Sequence, residues 1–128
     1  MERTEMQNVP SLQDALTRIS SAVGDWWETP LTDVNQRGAF EDYPLHKVAI
    51  WGDAILAEVL IANGADVNST GEDADTPLHR AVMGRHADMV RCLISHGADP
   101  TLKDRYGWTA LDAAKASGAS ALVEAMAR

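Results

Sequence analysis

The sequence predicts an all-α solenoid built from helix-turn-helix units with short β-hairpin-like finger loops. The first observation is internal repetition: Pro44-Leu45-His46 recurs as Pro77-Leu78-His79 and, in degraded form, as Ala110-Leu111-Asp112, in steps of 33 residues. A second block, Gly64-Ala65-Asp66, recurs after the same interval as Gly97-Ala98-Asp99. Because two unrelated blocks share one period, the chain is interpreted as an array of similar units, each packed on its neighbours.

Each unit carries the signals of two short helices. Pro44 and Pro77 stand where a helix begins, a position at which proline's missing amide donor is not needed. Gly52 and Gly118 permit the backbone reversal that ends a first helix. The first helices are expected at residues 44–51, 77–84 and 110–117, and the second helices at residues 54–62, 87–95 and 120–127. No segment alternates in the way a long strand does.

These motifs resemble the ankyrin repeat, in which Asp-x-x-Gly-x-Thr-Pro-Leu-His precedes two helices and Gly-Ala-Asp-Val-Asn follows them. Thr76-Pro77-Leu78-His79 and Gly64-Ala65-Asp66-Val67-Asn68 match that pattern residue for residue. The resemblance covers the chain from residue 36 onward and implies a small stand-alone ankyrin protein of a kind found in bacteria. The expected units are a degenerate N-terminal cap (1–35), two complete repeats (36–68 and 69–101) and a C-terminal capping repeat (102–128).

The two ends of the array differ from the complete repeats. Leu12 and Ala15 fit the register of a first helix, and Asp33-Val34-Asn35 fits the loop after a second helix, but residues 22–29 do not read as a standard second helix. The last unit ends on a helix and lacks a following finger. We expect this of a C-terminal cap in a complete domain, because a terminal repeat must present a solvated outer face.

Three positions at which the family prefers glycine carry other residues. Arg85 stands at a helix reversal, one place after Gly84. Either Arg85 adopts a left-handed conformation or the turn shifts by one residue. Glu41 and Ala74 replace the finger glycine, so the first two fingers are expected to be less regular than the third.

The charge and composition of the chain limit the kinds of partner that it is expected to bind. The chain has 11 Lys and Arg against 19 Asp and Glu, and its formal net charge is -8. This charge repels phosphate backbones and anionic lipids, so nucleic acid and membranes are not expected as partners, whereas a basic protein surface is attracted. With a single cysteine and no apolar segment typical of a signal peptide or membrane span, the chain is expected to be a cytoplasmic monomer.

The sequence contains none of the short motifs typical of common enzyme active sites. There is no nucleophile elbow, phosphate loop or His-Glu-x-x-His, so neither enzymatic activity nor a cofactor is expected, and a small hydrolase is the disfavoured alternative. His46 and His79 are interpreted as structural, because the family uses this imidazole to fasten adjacent repeats. Cys92 and His96 are four residues apart on one predicted helix, but two ligands do not make a metal site, and no metal is expected.

One loop offers two interpretations. Leu60 with Asp66-Val67-Asn68 resembles the sequence context in which asparagine hydroxylases modify ankyrin fingers. The same Asp and Asn are residue types that bond within tight turns, and we prefer that interpretation.

The resemblance implies protein binding through a concave face, formed by the fingertips and the exposed inner side of the first helices. The partner-binding residues carried over by register are Phe40, Asp42, Ile50, Trp51, Glu72, Asp73, Asp75, Met83, Arg105, Tyr106 and Trp108. The expected anchors are Trp51, Met83, Tyr106 and Trp108, since Trp and Tyr dominate interface hot spots. The acidic members are expected to select a basic partner. Trp26 and Trp27 are expected to pack within the cap.

Two roles within this binding class remain open. Some small stand-alone ankyrin proteins act as inhibitors or immunity proteins that block a toxin, and an acidic protein suits a basic nuclease. The alternative is a structural or scaffold domain without an inhibitory role. Both rest on analogy, because a fold does not determine a function.

Overall fold

The computed structural model describes residues 10–22, 31–38 and 41–127. Its seven helices are α1 (Leu12–Ala22), α2 (Pro44–Trp51), α3 (Ala54–Ala62), α4 (Pro77–Met83), α5 (Ala87–Ser95), α6 (Ala110–Ala116) and α7 (Ser120–Met126). No strand occurs in these ranges, where one isolated antiparallel bridge joins Lys103 and Thr109 in the third finger. The all-α solenoid is therefore confirmed. Helices α4, α6 and α7 end one residue earlier than predicted.

The helices form two layers. The first helices α2, α4 and α6 pack side by side, as do the second helices α3, α5 and α7, while α1 contacts both α2 and α3. Between the layers Leu45 and Leu78, one repeat apart, are fully buried, and so are Leu60 and Leu93. Their counterpart in the last repeat, Leu111, is only half-buried. The core thus thins toward the last repeat.

The three fingers share one turn geometry. Glu41 (φ 65°), Ala74 (φ 59°) and Gly107 (φ 85°) all adopt the left-handed conformation. In each finger the amide of this residue donates to the carbonyl three residues earlier at 3.0 Å. The expectation that the first two fingers are less regular is therefore wrong for the turn itself. It is right for strand pairing, since the Lys103–Thr109 bridge of the third finger has no counterpart in the described parts of the first two. The turn hydrogen bonds offset the cost of a left-handed side-chain residue, which is about 1–2 kcal/mol.

The turn after α4 explains why glycine stands one place earlier than the family pattern. Arg85 takes the left-handed conformation itself (φ 61°), while Gly84 is right-handed (φ -82°). A Cβ on Gly84 would lie 2.6 Å from the His86 ring and 2.7 Å from the Ile50 carbonyl oxygen. His86 Nε2 lies 3.0 Å from that same oxygen. Gly84 is therefore needed for space, so that the His86 ring can reach the preceding repeat.

Two variants distinguish the steric requirement at Gly84 from the backbone strain at Arg85. We expect Gly84→Ala to lower the free energy of unfolding by about 1–3 kcal/mol, because the ring and the carbonyl must both move. Arg85→Gly relieves the left-handed side chain and is expected to raise it by up to about 1 kcal/mol. Urea denaturation of both variants measures the two effects. Equal stability of both variants and the parent would show that the backbone relaxes at no cost.

Two buried imidazoles fasten neighbouring repeats. His46 Nδ1 accepts from the Tyr43 amide at 3.2 Å, so the proton is on Nε2, which donates to the Asp75 carbonyl at 2.9 Å. His79 repeats the pattern: its Nδ1 accepts from the Thr76 amide at 3.0 Å and its Nε2 donates to the Trp108 carbonyl at 2.9 Å. Each first helix thereby holds the base of the next finger.

Asparagines fasten the loops after the second helices. Asn68 Nδ2 donates to the Gly97 carbonyl at 3.2 Å, and Asn68 Oδ1 accepts from the Asp99 amide at 2.9 Å. Asn35 makes the equivalent pair of bonds one repeat earlier. Asp66 accepts from the Asn68 amide at 2.9 Å within its own turn. The turn interpretation is therefore right for Asp66 and incomplete for Asn68, whose side chain bonds to the next repeat.

Acid should weaken the His46 connection. Burial lowers the pKa of His46 from its ordinary value of 6.5, against the opposing effect of the Asp75 carbonyl and carboxylate. Below about pH 6.5 the unfolded chain binds a proton here that the folded chain does not, so the free energy of unfolding should fall as the pH drops below that value. Denaturation of the parent and of His46→Gln between about pH 7.5 and pH 5 tests this. The variant should be less stable throughout but should lose less stability on acidification. Parallel pH profiles would contradict the assignment.

Candidate protein-binding groove

A groove of about 370 Å³ lies on the concave face between the second repeat (69–101) and the third repeat (102–128). The end of α4, the third finger and α6 form its walls. Its lining residues are Asp73, Asp75, His79, Val82, Met83, Arg85, Asp104, Tyr106, Trp108, Ala113 and Ser117. Both ring nitrogens of His79 are engaged by the backbone, so this imidazole is part of the wall.

Three of the four predicted anchors meet at this groove. Met83, Tyr106 and Trp108 line it, and their exposed fractions are 64%, 69% and 46%. Trp51 is 38% exposed at the end of α2 but does not line the groove. Ile50 is half-buried, and its carbonyl accepts a hydrogen bond from His86.

Three aromatic residues named from the sequence lie outside the described residues. These are Phe40, Trp26 and Trp27. Their expected roles, partner contact for the first and packing in the cap for the other two, stay predictions.

Two of the predicted fingertip acids are buried rather than exposed. Asp42 and Asp75 are only 4% and 6% exposed. The Arg80 guanidinium lies between them, donating to Asp42 Oδ1 at 2.9 Å and to Asp75 Oδ2, while Lys47 Nζ lies 3.2 Å from Asp42. Contrary to the expectation from the sequence, these two acids are therefore not exposed to select a basic partner. The sequence did indicate basic partners for these acids, because Lys47 and Arg80 occupy equivalent positions one repeat apart.

The pKa shifts of Asp42 and Arg80 favour their charged forms. Burial raises the pKa of Asp42, but the hydrogen bond and charge of Arg80, with those of Lys47, outweigh it, so the net pKa is lowered. Burial also opposes the charge on Arg80, yet its bonds to Asp75 and Asp42 leave its pKa raised. Two carboxylates against two cations leave no net charge for a partner to detect.

The remaining acids surround the groove. Glu72 is exposed, and Asp73 lies 3.2 Å from Arg105 in an exposed ion pair. Asp104, which the sequence interpretation did not select, accepts from the amides of Tyr106 at 2.9 Å and Trp108 at 3.0 Å. Its side chain therefore fixes the backbone from which both aromatic rings project.

Arg85 is a second lining residue that the sequence interpretation missed. Its side chain is exposed at the end of α4, beside Met83. Its presence at a reversal where glycine is preferred was the available signal, because residues in strained backbone conformations cluster at functional sites.

The two arginine pairs are expected to differ in their contribution to stability. Arg80→Met leaves two buried carboxylates without their shared partner, so the free energy of unfolding should fall by about 3 kcal/mol or more. Arg105→Met removes only an exposed pair with Asp73, and its stability should match the parent. Chemical denaturation of both variants provides the measurement. A small loss for Arg80→Met would mean that the two carboxylates gain water or protons instead.

Away from the groove, the side chains of Glu58, Cys92 and His96 approach one another between α3 and α5. Burial raises the pKa of the Cys92 thiol to about 12, and the charge of Glu58 and its hydrogen bond add to this effect. A thiol that is protonated at neutral pH is a poor nucleophile, because the thiolate is the reactive form.

None of the helices within the described ranges is long and apolar enough to cross a membrane. The longest, α1, has 11 residues, about half the length that a bilayer requires.

Comparison with known families identifies the repeat. The family model described as ankyrin repeats (3 copies) matches residues 28–104 and, in a second overlapping match, residues 45–128. The matched segments contain helices α2 to α7 and every residue that lines the groove. No curated protein matches the chain.

Proposed function

Since the chain belongs to the ankyrin repeat family, we propose that it binds a partner protein in the groove between its second and third repeats. Ankyrin repeats are protein–protein interaction modules, and proteins built from them are typically not enzymes. The observation that carries the proposed location is the meeting of Met83, Tyr106 and Trp108, all well exposed, around one groove.

Exposed apolar side chains gathered in one place favour association. Single exposed hydrophobic residues are normal on a protein surface, whereas a contiguous apolar patch marks an interaction site. Tyr106 and Trp108 are of the residue types that supply most interface hot spots. Because Asp104 holds the backbone of both, the finger loses little further freedom on binding, which lowers the entropic cost of the complex.

Charge supports a basic partner. The net charge of -8 attracts cations at long range. Glu72 and Asp73 stand at the groove rim, although Arg105 offsets one of these charges. Asp42 and Asp75 are neutralised within the fold, so the attraction depends on the rim and on the overall charge rather than on all the acidic residues that the sequence suggested.

The finer proposal is that the partner is a basic toxin, such as a nuclease, and that binding blocks it. The overall acidity supports this, since a partner that binds polyanions has a cationic surface. The alternative is a scaffold role. The two differ in whether a stoichiometric amount of this protein abolishes the activity of the purified partner. A complex that forms without inhibition would favour the scaffold.

Removing the groove aromatics should weaken the complex. We expect Tyr106→Ala and Trp108→Ala each to raise the Kd at least about thirtyfold, because a desolvated aromatic anchor contributes about 2 kcal/mol or more. Ile55→Ala is a matched control: Ile55 is 58% exposed, comparable to Met83, but lies on a second helix. Its Kd should stay within about threefold of the parent. The partner is first captured by a photo-crosslinking residue at position 83, and each purified variant is then titrated against it.

Melting curves make this comparison decisive. Variants that melt far below the parent would identify the rings as packing residues. Variants that melt and bind like the parent would remove the groove from consideration. Trp51→Ala tests how far the interface extends: a loss equal to that of Trp108→Ala would extend it onto the first complete repeat.

Association with the partner should depend on salt. We expect the association rate to fall as ionic strength rises from low to physiological values, because screening removes the long-range attraction. Glu72→Gln removes one rim charge and should reduce the slope, whereas the exposed but distant Glu124→Gln should change it less. Stopped-flow or surface-based kinetics measure this. A rate that is indifferent to salt would contradict the electrostatic part of the proposal.

A further inference from the structure

A mixed cluster of metal-binding residue types lies on the second-helix side of the solenoid. Glu58 is in α3, Cys92 is in α5, and His96 directly follows α5. His96 Nε2 lies 2.8 Å from Glu58 Oε1, and Cys92 Sγ lies 3.4 Å from Glu58 Oε2. The three candidate ligand atoms all lie within 4.8 Å of one another.

We propose that Glu58, Cys92 and His96 form a zinc-binding site that joins the first complete repeat to the second. Water completes the tetrahedral coordination. The site rests on the juxtaposition of three different ligand types from two repeats, of which the sequence pattern revealed only the Cys92–His96 pair.

The donor set suits zinc better than other common cations. Thiolate, imidazole and carboxylate are the three ligand types that bind Zn²⁺ in proteins, whereas Mg²⁺ and Ca²⁺ prefer oxygen alone. Ligand atoms around a tetrahedral zinc are roughly 3.3–3.8 Å apart, given its bond lengths. The three ligand atoms lie within 4.8 Å of one another, although Cys92 and His96 contact different oxygens of Glu58. Coordination through a single Glu58 oxygen therefore needs the carboxylate to rotate and the three side chains to move by about 1 Å.

The solenoid holds these side chains ready. Cys92 lies in the last turn of α5 and His96 is its C-cap residue, and their candidate ligand atoms lie within 4.8 Å of each other. Helix α3 packs beside α5 and presents Glu58 to both residues. The side chains of His96 and Glu58 are 34% and 55% exposed, so an ion can enter from solvent and a water molecule has room to bind.

Charge balance also favours a divalent ion. On binding, the Cys92 thiol gives its proton to solvent and its sulfur coordinates the metal. The thiolate and the Glu58 carboxylate then carry two negative charges against Zn²⁺, and neutral His96 adds none. Without a metal, the cluster is an exposed Glu–His contact, which contributes little to stability.

Metal titration of the untagged, reduced and chelator-treated protein tests the site. Zn²⁺ competed against a chromophoric chelator should bind at one ion per chain. Co²⁺ as a spectroscopic probe should produce a thiolate-to-metal charge-transfer band and the intense visible absorption of a tetrahedral ion. Zn²⁺ should also raise the Tm, because it binds the folded state preferentially.

Three ligand variants and one control decide between a site and a surface contact. Cys92→Ser should weaken Zn²⁺ binding at least about a hundredfold and abolish the charge-transfer band, while Glu58→Gln and His96→Gln should each weaken it at least about tenfold. Glu124→Gln removes an exposed carboxylate from α7 and should bind like the parent. Circular dichroism of each variant shows that it is folded; Glu58 and His96 are exposed, whereas Cys92 is partly buried against the core and serine is its closest replacement in size.

Three results would overturn the proposal. One is the absence of saturable binding by the parent. Another is unchanged affinity in Glu58→Gln, which would leave only Cys92 and His96 as ligands. The third is two chains per metal ion by light scattering, which would place the ion between copies. None of these results bears on the groove, because its lining residues are different.

Discussion

The hydrogen bonds that His46 and His79 donate to the following repeat determine the positions of the fingers on the concave face. His46 donates to the Asp75 carbonyl and His79 to the Trp108 carbonyl, each at 2.9 Å. Both carbonyls lie at the base of a finger, directly before a first helix or its cap. A shift of either ring would therefore move a whole finger, and in the third repeat it would move the groove wall that carries Trp108.

The buried charges between the first two fingers serve a related end. Arg80 joins Asp42 of one finger to Asp75 of the next, so it connects the fingers themselves where His46 connects a helix to a finger. A buried ion pair is weak evidence for net stability, since removing charges from water costs several kcal/mol. Its geometric effect is clear, because a guanidinium that donates to both carboxylates fixes the spacing of the two fingers.

The sequence predicted helices α2 to α7 to within one residue, since the 33-residue period locates their starts and reversals at once, whereas it gave no bounds for α1. It predicted less where the outcome depends on contacts between repeats. Asp42 and Asp75 were assigned to the exposed face by register, but both are buried and paired with Arg80, and Asp42 also with Lys47. Gly84 was needed for the ring of His86, a close approach that no local rule describes.

The metal-binding residue types show the same limit. Cys92 and His96 were visible as a pair because their spacing is that of one helix face. Glu58 is 34 residues from Cys92, and its approach depends on how α3 is rotated against α5. A spacing of one repeat plus one residue is not a motif until the packing of the two helices is known. The three anchors of the groove likewise came from register, whereas Asp104, which fixes two of them, did not.

The groove and the Glu58–Cys92–His96 cluster lie at different repeat interfaces, and this limits how they can influence each other. The cluster joins the first two complete repeats through second helices, while the groove lies between the second and third on the finger side.

In a solenoid each repeat contacts only its neighbours, so stability is close to a sum of repeat and interface terms. Any coupling must therefore pass through the second repeat, from α5 to α4. Helices α4 and α5 pack directly against each other, and Ala81 and Met89 are fully buried in the shared core. Coupling between two sites requires an element with two discrete arrangements that both sites bias. With α4 and α5 held in one close-packed arrangement, each interface is expected to keep its own affinity.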